Sequence, residues 1–84
     1  MSAQLKVTDR QFYLLTEIQK FIAEKRYPPA HRELCEVLGV TSTNSVVCLL
    51  EQLVAKGLIN VTPHVARGLS ITDSGSRLLL ERAS

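Results

Sequence analysis

The stretch Tyr27-Pro28-Pro29-Ala30-His31-Arg32-Glu33-Leu34-Cys35-Glu36-Val37-Leu38-Gly39-Val40-Thr41-Ser42 constrains this chain more than any other. Proline lacks an amide hydrogen and disfavours helix in the residue before it, so Pro28 and Pro29 end one helix and introduce another. Gly39 fits the left-handed position that closes a helix. Ser42, within the polar cluster that follows, offers an oxygen that can cap the next helix. A short helix, a glycine turn and a second helix make a helix-turn-helix. The second helix of such a pair commonly enters the major groove of DNA. Duplex reading is therefore the expectation, and an enzyme fits poorly.

With 84 residues, 45% of them hydrophobic, the chain is expected to form one domain over 1–84 around a single modest core. The net charge is only +2, so basic residues must act by placement rather than by number. Cys35 and Cys48 match no metal-ligand spacing, and His31 and His64 do not cluster with them. No cofactor or metal is expected; both cysteines are read as reduced thiols in a cytoplasmic protein. Residues 1–10 lack an apolar export segment, and no apolar run approaches the ~20 residues of a membrane span, so no membrane partner is expected.

Residues 1–7 read as a short flexible arm. Thr8-Asp9-Arg10-Gln11 is a capping box, with Thr8 as N-cap and Gln11 three positions on. Phe12, Leu15, Ile18 and Ile22, widened by Leu14 and Phe21, predict a first helix over 9–25. A second helix is expected over 30–38, with Pro29 near its first turn and Leu34, Val37 and Leu38 inward. A third is expected over 43–56, with Ser42 as N-cap, Val46, Leu49, Leu50 and Leu53 inward, and Gly57 closing it. Alternating runs at 58–62 and 69–72 flank a turn at 63–68 and predict a two-stranded antiparallel hairpin. The tail, 73–84, predicts a short terminal helix over about 74–82, capped by Thr72 or Asp73 and carrying Leu78, Leu79 and Leu80. The fold class is mainly α with a small β wing: a winged helix-turn-helix.

Several pieces, in order, carry a resemblance. They are Thr8-Asp9-Arg10-Gln11, Tyr27-Pro28-Pro29, Arg32-Glu33-Leu34, Leu38-Gly39, Ser42, Asn44, Leu50, Leu53, Lys56-Gly57-Leu58-Ile59 and Arg67-Gly68-Leu69. Over residues 8 to about 72 the chain resembles the N-terminal DNA-binding domain of the LexA repressor family. The resemblance implies three helices followed by a two-stranded wing. Proteins of that family continue into a self-cleaving serine peptidase domain with a serine–lysine pair. This chain ends at Ser84, so a stand-alone domain without that activity is expected. One turn past the Asn44 position the family carries polar, often acidic, base-reading residues. Val47 and Cys48 stand there in this chain, so the family's operator does not carry over.

Thr41, Ser42, Thr43, Asn44 and Ser45 place a run of hydrogen-bonding side chains at the start of the third helix. In a groove, such a helix start offers side chains to base edges and amides to phosphate. Asn44 matches the donor and acceptor of adenine, and Val47 and Cys48 can meet a thymine methyl group. The plainer alternatives are capping for Asn44 and Ser45 and packing for Val47. Arg32, Lys56 and Arg67 are the expected phosphate contacts, Arg67 alternatively in the minor groove. The plainer reading of Arg67 is an exposed turn residue paired with Asp73. Cys35 is read as a packing residue and His31 as a helix-start residue.

The expectation is a sequence-specific double-stranded DNA-binding regulator acting as a homodimer, a repressor of the kind that suits a phage or mobile element. Leu78, Leu79 and Leu80 are either a dimer seam or packing onto the first helix. The alternative belongs to another class. The third helix carries few charges and an outer face of Val47, Cys48 and Val54 or Ala55, which suits a module that binds another protein, such as a repressor, polymerase or nuclease.

Overall fold

The computed structural model describes residues 7–62 and 67–83. The elements run α1 (Asp9–Lys25), α2 (His31–Leu38), α3 (Thr43–Ala55), β1 (Ile59–Val61), β2 (Leu69–Ile71) and α4 (Asp73–Ala83). The expected winged helix-turn-helix is present.

Local chemistry sets most boundaries. The capping box at the start of α1 is complete: the Gln11 amide donates to the Thr8 hydroxyl at 3.1 Å, and the Thr8 amide donates to Gln11 Oε1 at 3.2 Å. α1 ends at Arg26, which turns into the left-handed region at φ 67° just before Tyr27-Pro28-Pro29. α2 begins one residue later than expected, at His31. Ala30 occupies its cap position in extended geometry. Pro29 therefore precedes the helix, with its side chain fully buried. Gly39, at φ 71°, closes α2. The axis then turns by 99° into α3, in the range of a helix-turn-helix. α3 ends at Ala55, so Lys56 caps it instead of belonging to it, and Gly57 follows at φ 73°.

The core explains why these elements stay together. Leu14, Leu15 and Ile18 of α1, Leu34 of α2, and Val46, Leu49, Leu50 and Leu53 of α3 meet Leu58, Ile59, Leu69 and Leu79 in one buried cluster. Each fully buried leucine contributes about 1.5–3 kcal/mol of transfer free energy. Cys35 is buried in the same cluster, and Cys48 is exposed; both are free thiols. Gln11 is also buried, and its side-chain amide donates to the Gln52 carboxamide, tying α1 to α3.

The strands are shorter than the alternating sequence suggested. They pair antiparallel in the register Ile59↔Ile71, Asn60↔Ser70 and Val61↔Leu69. Beyond the ladder, the Thr62 amide donates to the Gly68 carbonyl at 2.6 Å. Thr72, not Asp73, supplies the hydroxyl at the start of α4. That oxygen accepts from the Gly75 amide at 3.1 Å and donates to the Gly57 carbonyl at 2.6 Å. Gly75 is buried, and a methyl group added there would collide with the Leu58 carbonyl and the Ile71 side chain. Of the three terminal leucines, Leu79 enters the core, Leu78 packs half-buried against it, and Leu80 is 70% exposed. Arg82 lies 4.7 Å over the Phe12 ring, so α4 packs back onto α1. Leu79 is thus unavailable to a seam between copies. The arm expected at 1–7 and the turn at 63–68 fall largely outside the described residues, although Val7 packs against the core.

Candidate nucleic-acid interface

α3 is anchored by one face and presents the other. Val46, Leu49, Leu50 and Leu53, at helical spacing, hold it on the core. This arrangement leaves Thr41, Ser42, Thr43, Asn44 and Ser45 all exposed at its start. The Ser42 hydroxyl accepts from the Asn44 backbone amide at 3.2 Å, which satisfies one first-turn donor. Asn44 therefore takes part in the cap through its backbone, while the residue itself stays exposed. Next along the helix, Val47 is half-buried and Cys48 exposed. Asn44, Val47, Cys48 and Glu51 follow one another along the same side of the helix, so they form one strip of its surface.

The two flanking cations differ. Arg32, in the first turn of α2, is exposed. Lys56, at the C-cap of α3, is half-buried, and its amide donates to the Gln52 carbonyl at 3.1 Å.

Arg67 is held more closely than its sequence context indicated. Its guanidinium donates to Glu33 Oε1 at 2.8 Å, to Glu33 Oε2 at 3.3 Å and to the Pro28 carbonyl at 2.9 Å. It also stacks 4.5 Å over the Tyr27 ring, which in turn meets Phe21 edge-on at 5.7 Å. The plainer reading pairs Arg67 with Asp73; the acid it meets is Glu33. The Glu33 carboxylate also holds the start of α2, because its Oε1 accepts from the Ala30 amide at 2.8 Å. Alanine has no side-chain oxygen, so this is the glutamate half of a capping box. The Arg67 guanidinium and then the Ala30 amide hold the Glu33 carboxyl below the usual carboxylate range. The bond to Glu33 holds the Arg67 guanidinium even further above neutral pH.

Sequence reasoning missed Glu33 and Tyr27. The available signal was a glutamate three positions after a cap residue that cannot cap itself. It also missed a cleft of about 370 Å³ between α3, the start of α2 and β1, lined by His31, Val47, Leu50, Glu51, Val54, Ala55 and Val61. His31 is indeed a helix-start residue, but it also forms one wall of that cleft. Among the described residues, no three His, Cys, Asp or Glu side chains gather into a metal-binding group. No single helix among them is long and apolar enough to cross a membrane.

Three packed helices, an antiparallel hairpin and an outward-facing polar helix start define a winged helix-turn-helix module. Residues 4–68 match the LexA DNA binding domain. The chain is 38% identical over 68 residues to a LexA repressor of Halorhodospira halophila, an alignment covering 81% of this chain and 30% of that protein. It is 43% identical over 68 residues to one of Caldicellulosiruptor saccharolyticus, covering 81% of this chain and 34% of the relative. A third, from Ligilactobacillus salivarius, is 37% identical over 76 residues, covering 90% and 37% respectively. The chain therefore belongs to the LexA DNA binding domain family, and it spans about a third of the length of these relatives.

Proposed function

We propose that this domain reads duplex DNA and represses transcription by occupying its site. The observation that carries the reading is the start of α3: five consecutive exposed hydrogen-bonding residues on a helix whose opposite face is fixed in the core. A rigid platform with a polar first turn is what groove recognition needs. Membership of the LexA DNA binding domain family supports it, as do relatives that are LexA repressors.

In this reading Thr41, Ser42, Thr43, Asn44 and Ser45 meet base edges and phosphates, with Asn44 facing adenine. Val47 and Cys48 favour a thymine methyl group where an acidic side chain would instead accept from cytosine. Arg32 and Lys56 hold phosphates. With so few cations one copy binds weakly, and two copies on a palindrome gain from effective concentration. The homodimer, and a role in a phage or mobile element, belong to this proposal.

Selection of bound sequences from a random duplex library at two salt concentrations tests it. A palindromic motif is the expected result; weak, motif-free binding would overturn the reading. Arg32→Ala should weaken binding across all sequences and flatten its salt dependence by about one phosphate contact.

The cleft beside α3 favours a second reading, a module that docks another protein against Val47, Val54 and Val61. Val47→Asp separates the two. Loss of a partner complex with duplex binding retained would favour docking.

A further inference from the structure

We propose that Arg67 is a positioning residue, which sets the angle of the wing through Glu33, and is not itself a phosphate contact. The proposal rests on the duplex-reading function and deepens it.

Three of the five N–H donors of the guanidinium are already engaged within the fold. Its planar fork meets both oxygens of one carboxylate, a carbonyl and an aromatic face. A guanidinium satisfied in this way offers a phosphate little of its directional bonding. The backbone points the same way. Arg67 sits at φ 60°, in the left-handed region, where a residue with a side chain is retained when its surroundings over-determine it.

The contacts also span the right elements. Arg67 lies two residues before β2, at the turn end of the hairpin, while Glu33 lies in the first turn of α2 and Pro28 just ahead of it. The pair therefore joins the wing to the helix-turn-helix, and it does so through the same carboxylate that caps α2 at the Ala30 amide. Wing direction and the start of α2 are set by one side chain. Binding a phosphate through the same Nη1–Nη2 fork would require the guanidinium to leave Glu33. The carboxylate would then stand close to the DNA backbone with its charge unpaired.

Glu33→Gln and Arg67→Lys test this, with Arg67→Ala as the variant that removes the cation and so reads the salt slope. Glutamine keeps an oxygen for the Ala30 amide but removes the charge. Lysine keeps a cation able to hold phosphate but loses the fork. Two readouts are taken on each: amide exchange at Thr62, whose hydrogen bond to Gly68 closes the ladder, and duplex affinity as a function of salt. Faster Thr62 exchange is expected in both variants, with exchange at Leu53 unchanged, so that loosening is confined to the wing. Affinity is expected to fall in both by a similar factor, about two- to five-fold as suits an exposed charge pair, with no change in the salt slope. Undiminished or tighter binding by Glu33→Gln, together with a slope reduced by about 0.9 in Arg67→Ala, would make Arg67 a phosphate contact and overturn the proposal. Should the unaltered protein select no duplex, the DNA reading falls. Thr62 exchange then decides the wing-positioning role alone: acceleration in both variants upholds it, and no change overturns it.

Discussion

The start of α3 and the turn end of the wing are both polar and both solvent-facing, yet they are built in opposite ways. At the start of α3, five small side chains stand exposed and the cap consumes only the Ser42 oxygen. At the turn end of the wing, Arg67 is bound to Glu33, the Pro28 carbonyl and the Tyr27 ring. The first region leaves its side chains exposed, with one cap bond between them. The second uses its capacity to fix geometry. Under the wing-positioning proposal, charge alone does not make a residue of this fold a DNA contact, and its internal partners decide.

The comparison can be broken most completely by removing the platform on which both regions stand. Leu53 is fully buried beneath α3. Leu53→Ala is expected to cost about 2–5 kcal/mol in denaturant unfolding, with α3 and the wing losing exchange protection together. Retained stability would mean that the two regions do not share one core.

Asn44→Ala sharpens the contrast from the ligand side. It should lower affinity for the selected duplex by about 1–3 kcal/mol and relax preference at one base position. Thermal stability should barely change, since the cap uses the Asn44 backbone amide and not its side chain. A melting-temperature drop without a change in base preference would assign Asn44 to structure.

Ser42→Ala is expected to do the reverse in part. Loss of the cap oxygen should reduce stability by about 1 kcal/mol, read in the same unfolding experiment.

The smallest effect concerns acid. The Glu33 carboxyl is held below its ordinary value of 4.5 by Arg67 and the Ala30 amide. A carboxyl lowered on folding stabilises fully above its unfolded value, and that stabilisation is lost as pH falls through the lower folded value. The Arg67 guanidinium stays charged throughout. Thr62 protection, corrected for intrinsic exchange, should therefore be flat from neutral pH down to about 5 and decline below the ordinary carboxylate range. Protection that rises in acid would contradict the pair. Because both side chains are about a third exposed, at 38% and 32%, added salt should reduce the effect.

The fold was largely legible because its determinants are local. Thr8 with Gln11, the two prolines, Gly39 and Ser42 each fix a boundary through their own backbone chemistry, and the leucines of α3 recur at helical period. The differences were small and had physical causes. Ala30 reads from sequence as part of α2, but it stands at the cap, where Glu33 supplies the bond its own side chain cannot. The alternation at 58–62 outran the strands at both ends, where Leu58 with Thr72 and Thr62 with Gly68 keep cross-hairpin hydrogen bonds beyond the three strand pairs. The anchoring of the wing was less legible. Glu33 and Arg67 lie 34 residues apart, and no periodicity links an acid in one helix to a base near a strand. Asp73 is the acid nearer in sequence, so local reasoning favours it. Gly75 was also opaque, since its need for a bare α-carbon arises from the Leu58 carbonyl across the fold. The cleft beside α3 joins three elements, and it showed in the sequence only as an unexplained apolar face.

The most direct test of a reading helix served by a separately positioned wing is a titration of isotope-labelled protein with the selected duplex, followed by nuclear magnetic resonance. The predicted result is that the largest amide shifts fall on Thr41, Ser42, Thr43, Asn44, Ser45, Val47 and Cys48, while the Arg67 guanidinium signals keep their contact with Glu33. Shifts centred instead on Val54, Ala55 and Val61, or an Arg67 guanidinium that leaves Glu33 on binding, would contradict it.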